Sequence, residues 1–313
     1  MRADSPRPIH TYSIVARDPE TGEMGVAVQS HAFSVGAAVP WAEAGVGAVA
    51  TQSLTRIDYG PEGLALMRHG MSARQALGAL LKNDENRDVR QVAMVDAHGG
   101  VAAHTGSKCI AAAGHLTGEG FTVQANLMLD GSVWPAMMEA YEGAADEELA
   151  DRLILALEAA QESGGDIRGQ QSAALLIVSG DRGTRYWEGR IFDLRVEDAP
   201  RPLDELRRLV RLQRAYRYAD RADELMAVHN FEDAMGALAK AAALAPDVVE
   251  LRFWAAASLF SAGKEAEALT IFREVFAKEP IWARLAPRLV PLGLLPDDPD
   301  VLARIAAQQT NAS

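Results

Sequence analysis

Residues 11–30 read TYSIVARDPETGEMGVAVQS, and this stretch decides how the first part of the chain folds. Two short apolar stretches, 11–18 and 24–29, flank the segment PETGE, which combines Pro, Thr and Gly as tight turns do. Short apolar runs that end at turn residues are typical of β-strands. The stretch therefore predicts a β-hairpin whose first strand begins at Thr11.

Further strands and helices are predicted along the first 200 residues. Short apolar segments bounded by Gly, Asp or Pro predict strands at 46–52, 91–96, 101–105, 173–179, 184–188 and 192–196. Helical spacing of apolar residues predicts helices at 59–70, at 72–81 and, as a pair, within 131–163. Ser72 and Asp146 are the expected N-caps. Strands that are apolar on both faces need cover on both faces, so the expected fold is a layered α+β sandwich.

The chain changes character at Pro200 and Pro202, beyond which an Ala-, Leu-, Glu- and Arg-rich helical pattern repeats after 34 residues. The matching pairs are Ala222 and Ala256, Leu225 and Leu259, Ala234 and Ala268, Leu238 and Phe272, Ala241 and Val275, and Pro246 and Pro280. This order of small and large residues resembles the tetratricopeptide (TPR) helix pair, although Arg221 and Ala255 stand where that repeat usually has Leu. We expect one domain at 10–200 and an all-α, TPR-like domain at 201–313 that binds a protein partner or mediates self-association.

Composition limits the partners and the compartment. Acidic residues outnumber basic ones by 43 to 31, and the net charge of −12 argues against nucleic acid or an anionic membrane as a partner. The one cysteine, Cys109, cannot form an intrachain disulfide, which fits a reducing compartment. The N-terminus lacks the apolar segment of a signal peptide, and no apolar run reaches the roughly 18 residues of a membrane helix. A cytoplasmic protein without cofactors is therefore expected.

Thr11 is the first candidate for chemistry. A threonine hydroxyl becomes an effective nucleophile when a base removes its proton, and an N-terminal Thr carries such a base in its own α-amine, whose pKa is about 8. This role requires cleavage between His10 and Thr11. The alternative is that Thr11 is an ordinary strand residue, because Thr is common in strands.

His104, Cys109 and His115 form the second candidate site. A thiol with histidines nearby can form a Cys–His nucleophile pair or part of a zinc site. His104 ends a predicted strand, whereas Cys109 and His115 fall on the loop that follows it. Because the spacing matches no standard zinc pattern, no metal is expected, and the alternative is a buried thiol with hydrogen-bonded histidines.

The third candidate is the Gly-rich segment GGDIRGQQSA at 164–173, which carries Asp166, Arg168 and Gln171 into a strand. In such loops, backbone N–H groups and side chains converge on a ligand. The segment is no phosphate-binding P-loop, because it lacks the Lys-Ser/Thr pair. The alternative is a turn that carries an Asp–Arg surface pair.

Several motifs together resemble a bacterial family. They are, in order, TYSIVARDPETGEMGVAVQS, AVPWAEAGVGAVATQS, YGPEGL, RQVAMVD, HTGSKC, AGH and GGDIRGQQSAAL. They resemble the domain-of-unknown-function family 1028 (DUF1028), which is classed with the N-terminal-nucleophile (Ntn) hydrolases. The resemblance covers about residues 10–200 and implies a four-layer αββα sandwich, but no substrate.

The resemblance also implies roles for individual residues. In the wider Ntn superfamily the nucleophile begins the first strand of a hairpin, and Thr11 holds that position. On the paired strand, Gln29 would polarise a carbonyl group and Ser30 would share a hydrogen bond with Thr11. The residues that would bind the charged end of a substrate across the same cleft are Asp166, Arg168 and Gln171.

Two classes of function remain open from the sequence. The leading hypothesis is an Ntn-type hydrolase that cleaves an amide or another C–N bond of a small polar metabolite, with Thr11 as nucleophile. A second enzymatic hypothesis pairs Cys109 with His104 or His115. The other class is a non-catalytic ligand-binding or scaffold protein, in which an Ntn fold without a processed nucleophile is joined to TPR-like helices.

Overall fold

The structure, a computed structural model, describes residues 8–9, 11–183, 185 and 188–310. The chain divides into two compact units, Met1–Val210 and Arg211–Ser313. The first unit contains strands and helices and the second is helical throughout its described part, so the α+β fold class is confirmed. The division lies later in the chain than residue 200, where the sequence places the domain boundary.

The first unit contains the strands. They are β1 (Pro8–Ile9), β2 (Thr11–Arg17), β3 (Met24–Ser30), β4 (Pro40–Glu43), β5 (Gly47–Leu54), β6 (Arg90–Asp96), β7 (Val101–Thr105), β8 (Gly114–Gly118), β9 (Phe121–Ala125), β10 (Ser172–Val178) and β11 (Arg190–Val196). The helices of the chain are α1 (Tyr59–Arg68), α2 (Ala73–Lys82), α3 (Val133–Gly143), α4 (Leu149–Glu162), α5 (Pro202–Ala227), α6 (Phe231–Leu244), α7 (Val249–Ser261), α8 (Glu265–Lys278) and α9 (Pro299–Thr310).

Two antiparallel sheets stack face to face in the first unit. One has the order β11-β10-β3-β2-β9-β8. The other has the order β1-β5-β6-β7, and β4 also pairs with β5. Helices α3 and α4 cover the outer face of the first sheet, and α1 and α2 cover the outer face of the second. The described unit is therefore a four-layer arrangement of helices, sheet, sheet and helices.

The predicted hairpin is confirmed as β2 and β3, in the register Thr11↔Ser30 to Arg17↔Met24. Its turn is closed by the Asp18 carboxylate, which accepts hydrogen bonds from the backbone N–H groups of Glu20 (2.9 Å) and Thr21 (2.8 Å). Gly22 has a φ of 75°, which favours glycine because it has no Cβ. The hairpin lies at the centre of the six-stranded sheet, so its register sets the position of the neighbouring strands.

Side chains alternate between the two faces of this hairpin. Val15, Val26 and Val28 contact the other sheet, whereas Ile14 and Ala27 lie in the core beneath α4. Both faces are apolar, as the sequence predicts for strands that are covered on both sides. The core between the sheets is completed by small residues of β5 and β6, such as Ala48, Ala50 and Ala93.

Some elements differ from those expected from the sequence. The hairpin of β8 and β9 was not predicted, because β8 (GHLTG) is short, polar and half-exposed at the sheet edge. Its two-residue turn places Gly120 at a φ of 73°. Ser72 caps α2 as expected, but Glu148 rather than Asp146 precedes α4, because the residues before it form a turn. The predicted strand 184–188 lies largely outside the described residues.

The helical unit repeats its buried positions. The alanines expected at close helix contacts, Ala222, Ala234, Ala256 and Ala268, are all fully buried. Phe272 is also fully buried, and Leu225 and Leu259 are buried. Leu238, the partner of Phe272 in the repeat, is only partly buried and lines a groove.

None of the described helices is long and apolar enough to cross a membrane.

The two equivalent positions of the helical repeat should differ in their contribution to stability. Phe272→Ala should lower the free energy of unfolding by about 3–5 kcal/mol, because it leaves a cavity among Phe253, Phe276 and their neighbours. Leu238→Ala should lower the free energy of unfolding by clearly less than Phe272→Ala does, because the Leu238 side chain is only partly buried. Urea unfolding of both variants, followed by circular dichroism, measures the difference, and equal costs would contradict it.

Candidate functional site

Thr11 begins β2 at one end of the sandwich, where β3, β5 and β9 also end. We call this the Thr11 end. Thr11 is fully buried and shares its face with Ser13 and Val15, which point toward the second sheet. Among the described residues its Oγ1 atom has no hydrogen-bond partner. Buried hydroxyl groups are ordinarily hydrogen-bonded, so this atom is an exception that calls for a role.

Ser30 and Gln29 lie on opposite faces of the hairpin. Ser30 is the cross-strand partner of Thr11 and is buried on the same face. Gln29 pairs with Tyr12 and faces the core beneath α4, on the other side of the sheet. The structure therefore brings Ser30 to Thr11 but does not bring Gln29 to it, because successive residues of a strand point to opposite faces.

Gln29 is itself unusual. Its side chain is fully buried, and neither Oε1 nor Nε2 has a partner among the described residues. Its neighbour Tyr12 donates a hydrogen bond from its hydroxyl to Gln161 Oε1 (3.1 Å). Burial, with Asp166 nearby, raises the pKa of Tyr12 well above its ordinary value, so this phenol stays protonated.

The carbonyl oxygen of Thr11 is held by amide donors. It accepts hydrogen bonds from the backbone N of Asn126 (3.1 Å), from Asn126 Nδ2 (3.4 Å) and from Gln52 Nε2 (3.2 Å). Gln52 Nε2 also donates to Gln91 Oε1 (2.7 Å), which accepts a second bond from Asn126 Nδ2 (2.9 Å). Three strand ends are thereby joined around the backbone of Thr11.

Ser13 and Gln124 extend this network between the sheets. Ser13 Oγ donates to Gln52 Oε1 (2.7 Å) and accepts from Gln124 Nε2 (2.6 Å). We refer to Gln52, Gln91, Gln124 and Asn126 together as the amide network; all four are buried. None of the four is among the site residues expected from the sequence. Three of them are single glutamines within apolar strands, and a buried glutamine needs a hydrogen-bond partner, so this pattern could have indicated them.

The network continues to His115. Gln91 Nε2 donates to Thr105 Oγ1 (2.9 Å), and that hydroxyl lies 2.8 Å from His115 Nδ1. Burial, together with His104 nearby, lowers the pKa of His115, so its neutral form is favoured. His115 lies on β8 and not on a loop as the sequence predicted, and its strand partner is Gln124.

Cys109 does not pair with either histidine in the described part of the chain. Its Sγ donates to the carbonyl of Arg90 (3.3 Å), whereas His104 Nε2 lies 2.9 Å from the carbonyl of Arg87. Burial raises the pKa of the Cys109 thiol, which keeps it protonated and weakly nucleophilic. This geometry resembles the alternative of a structural thiol with hydrogen-bonded histidines.

Asp166 and Arg168 bind each other. Arg168 donates to the Asp166 carboxylate from Nε (3.0 Å), from Nη2 (2.7 Å) and from its backbone N (2.9 Å). The Asp166 carboxylate is fully buried and also accepts from the backbone N of His31 (3.3 Å), the residue after Ser30. The guanidinium group of Arg168, which was expected to bind a substrate carboxylate, thus contacts Asp166. The Gln171 side chain has a different partner, because its Nε2 donates to Asp198 Oδ1 (3.1 Å).

Unusual backbone conformations also gather at the Thr11 end. Ser34, Ser53 and Leu127 have φ values of 59°, 74° and 59°, in the left-handed region that residues other than glycine rarely occupy. Ser34 and Leu127 follow the ends of β3 and β9. Ser53 is the next-to-last residue of β5. Such conformations cost free energy and cluster at functional sites.

No three His, Cys, Asp or Glu side chains among the described residues are grouped so that they would hold a metal ion.

Two buried glutamines, Gln91 in β6 of the second sheet and Gln29 in β3 of the first sheet, should respond differently to the same substitution. Gln91→Leu should lower the free energy of unfolding by at least about 3 kcal/mol, because it leaves Gln52 and Asn126 without their shared acceptor. Gln29→Leu removes a buried amide that has no partner in the described part of the chain and should be neutral or stabilising. Chemical denaturation of both variants tests this, and a large loss for Gln29→Leu would mean that its amide is satisfied in solution.

His115 should make stability depend on pH. Because its pKa is lower in the folded chain than the ordinary 6.5, the unfolded chain binds more protons as the pH falls through 6.5, and the folded state is destabilised there. The melting temperature should fall more between pH 7.5 and pH 5 in the native chain than in His115→Gln. The exposed His98→Gln is the control and should behave like the native chain.

Comparison with known proteins identifies the family. A family model described as a family of unknown function, DUF1028, matches residues 11–206. The chain is also similar to a crystal structure of a protein from Silicibacter pomeroyi that carries the same family model. The two share 33% sequence identity and a TM-score of 0.58, over 64% of this chain and 84% of that one. No match is found among proteins of curated function. The resemblance seen in the sequence is therefore confirmed, and the chain belongs to the family of unknown function DUF1028.

Proposed function

We propose that the chain is an Ntn-type hydrolase that cleaves an amide or another C–N bond of a small polar metabolite, with Thr11 as its nucleophile. One observation supports this most: Thr11 Oγ1 is buried without a partner among the described residues, at the first position of a central strand. An unsatisfied buried hydroxyl costs about 1–3 kcal/mol. That cost is easiest to understand where the hydroxyl serves a ligand or a reaction.

The proposed reaction begins after cleavage between residues 10 and 11, which converts the nitrogen of Thr11 into an α-amine. The amine takes the proton of Oγ1 as this oxygen attacks the substrate carbonyl carbon, and the proton passes to the leaving nitrogen when the C–N bond breaks. Water then hydrolyses the resulting Thr11 ester, which releases the acid and restores the hydroxyl.

The surroundings of Thr11 suit this chemistry. Ser30 is the cross-strand neighbour of Thr11 and lies on the same face of the hairpin. The amide network holds the carbonyl oxygen of Thr11 through N–H donors, which fixes the backbone of the proposed nucleophile between the sheets. In this proposal Gln29, which lies on the other face of the sheet, has no oxyanion role, and backbone N–H groups at the Thr11 end take it. The pair of Asp166 and Arg168 orients the polar end of the substrate.

A second candidate function is a non-catalytic ligand-binding or scaffold protein. It is favoured by the chain before Thr11, where β1 pairs with β5 through Pro8↔Leu54 and Ile9↔Ser53. While that segment stays attached, the nitrogen of Thr11 belongs to a peptide bond and cannot act as a base. His10, at the cleavage position, lies outside the described residues.

If the protein is a scaffold, the helical unit is the part that we propose binds the partner. A groove of about 340 Å³ is lined mainly by apolar side chains, among them Met235, Leu251 and Ile271. We propose that this TPR-like unit binds a protein partner or a second copy through such a surface. For either function we propose the cytoplasm as the compartment, because the free thiol of Cys109 suits a reducing environment.

Processing and turnover should depend on the Thr11 hydroxyl. Intact mass of the purified native protein should correspond to a chain that begins at Thr11, and the protein should release free amine from a panel of N-acetylated amino acids. Thr11→Ala should keep residues 2–10 and lose turnover, because it has no nucleophile. Thr11→Ser should retain both the cleavage before residue 11 and the release of amine, at reduced rates, because serine keeps the hydroxyl.

Thr51→Ala is the matched control. Thr51 is a buried threonine of β5 whose hydroxyl donates to the carbonyl of Arg56 (3.0 Å), so its loss should affect stability but not cleavage. A native protein that retains residues 2–10 and releases no amine would favour the scaffold function. Full activity of Thr11→Ala would exclude Thr11 as the nucleophile.

A further inference from the structure

Large exposed apolar side chains of the first unit gather at the Thr11 end. Among its described residues, all but Met71 lie on loops that follow or precede strand ends there. They are Phe33, Ile57, Ile110, Leu129 and Ile167, and their exposed fractions lie between 46% and 68%. Single exposed apolar residues are normal, but a group of them at one site indicates a binding surface.

Three of these residues lie on neighbouring backbone segments. Leu127 N donates to the carbonyl of Ile110 (2.9 Å), and Ile167 N donates to the carbonyl of Leu127 (3.2 Å). Leu129 N donates to the carbonyl of Gly165 (3.0 Å), two residues before Ile167. We call Ile110, Leu129 and Ile167 the apolar patch. Because hydrogen bonds join its segments, the patch is a built surface rather than a chance exposure of separate loops.

The apolar patch is directly connected to Thr11. Asn126 N donates to the carbonyl of Thr11 (3.1 Å), and the next residue, Leu127, is the one that holds the Ile110 and Ile167 segments together. Leu127 does so in a left-handed conformation (φ 59°), which is costly for a bulky residue. The chain thus maintains an unfavourable conformation next to Asn126, the residue whose backbone N–H joins this segment to the carbonyl of Thr11.

Polar groups border the patch on the side of Ile167. Asp166 and Arg168 flank it in sequence and form an ion pair, with the Arg168 side chain 30% exposed. A few placed polar groups next to an apolar surface are typical of small-molecule sites. A stable interface between two copies would bury about 800 Å² on each partner, far more than three partly exposed aliphatic side chains supply.

We infer that the substrate of the function proposed above, on which this inference rests, is an amide with an apolar acyl chain that lies across Ile110, Leu129 and Ile167. The amide carbon then reaches Thr11, while the polar remainder lies near Arg168. This narrows the substrate from a small polar metabolite to an amphipathic amide, and its hydrolysis releases a fatty carboxylate.

The test uses that class of product, so that binding is measured without turnover. Acetate, hexanoate and decanoate are titrated into the purified native protein by calorimetry at pH 7. Burial of successive methylene groups should make decanoate bind at least tenfold more tightly than hexanoate, with acetate weakest. Ile167→Ser should remove most of this gain, and Met71→Ser, which changes an exposed apolar side chain away from the Thr11 end, should preserve it.

Leu129→Ser provides the same test if Ile167→Ser does not fold, and it should also remove the gain in affinity. Binding that is independent of chain length, or equally weakened by Met71→Ser, would overturn the inference. So would an oligomer in sedimentation that Ile167→Ser dissociates, because the patch would then join two copies. Chain-length-dependent binding in a protein that is neither processed nor active would refute the proposed hydrolysis and leave the acyl site in place.

Discussion

The alternation of side chains along the central hairpin is the constraint on which the rest of the structure depends. Once Thr11 is paired with Ser30, both must face the second sheet, and Tyr12 and Gln29 must face the helices. A shift of one residue would exchange these sets and bury the wrong residues on each side. The Asp18 turn fixes this register, so a short polar loop far from Thr11 decides which groups surround it.

The same alternation separates the interior into two regions. Toward the hairpin turn the sheets meet through valines and alanines, and toward Thr11 they meet through the amide network. A fold held mainly by apolar contacts can therefore keep polar groups fully buried at one end, provided that they satisfy one another. Beside that satisfied network, the Thr11 hydroxyl is buried without a hydrogen-bond partner among the described residues.

Local sequence patterns predict much of this fold. They predict far less about which side chains surround Thr11. PETGE and the flanking apolar stretches are sufficient for the hairpin, and the 34-residue repeat predicts which alanines are buried in the helical unit. The β8 strand has few apolar residues, so its pattern was too weak to place His115. Gln29 and Arg168 were placed near Thr11 only by the resemblance to the Ntn superfamily. The faces of the strands depend on pairing between segments that are distant in the sequence, whereas Arg168 pairs with Asp166, which lies two residues before it.

The amide network has a mechanical consequence for the sandwich. Apolar surfaces can slide past one another with little change in contact, whereas hydrogen bonds weaken steeply when their length or angle changes. The sheets are therefore held in a single offset near Gln52 and Gln91, and relative shear is easier where alanines and valines meet. Thermal motion between the sheets should thus have its smallest amplitude at Thr11, while the opposite end absorbs the strain.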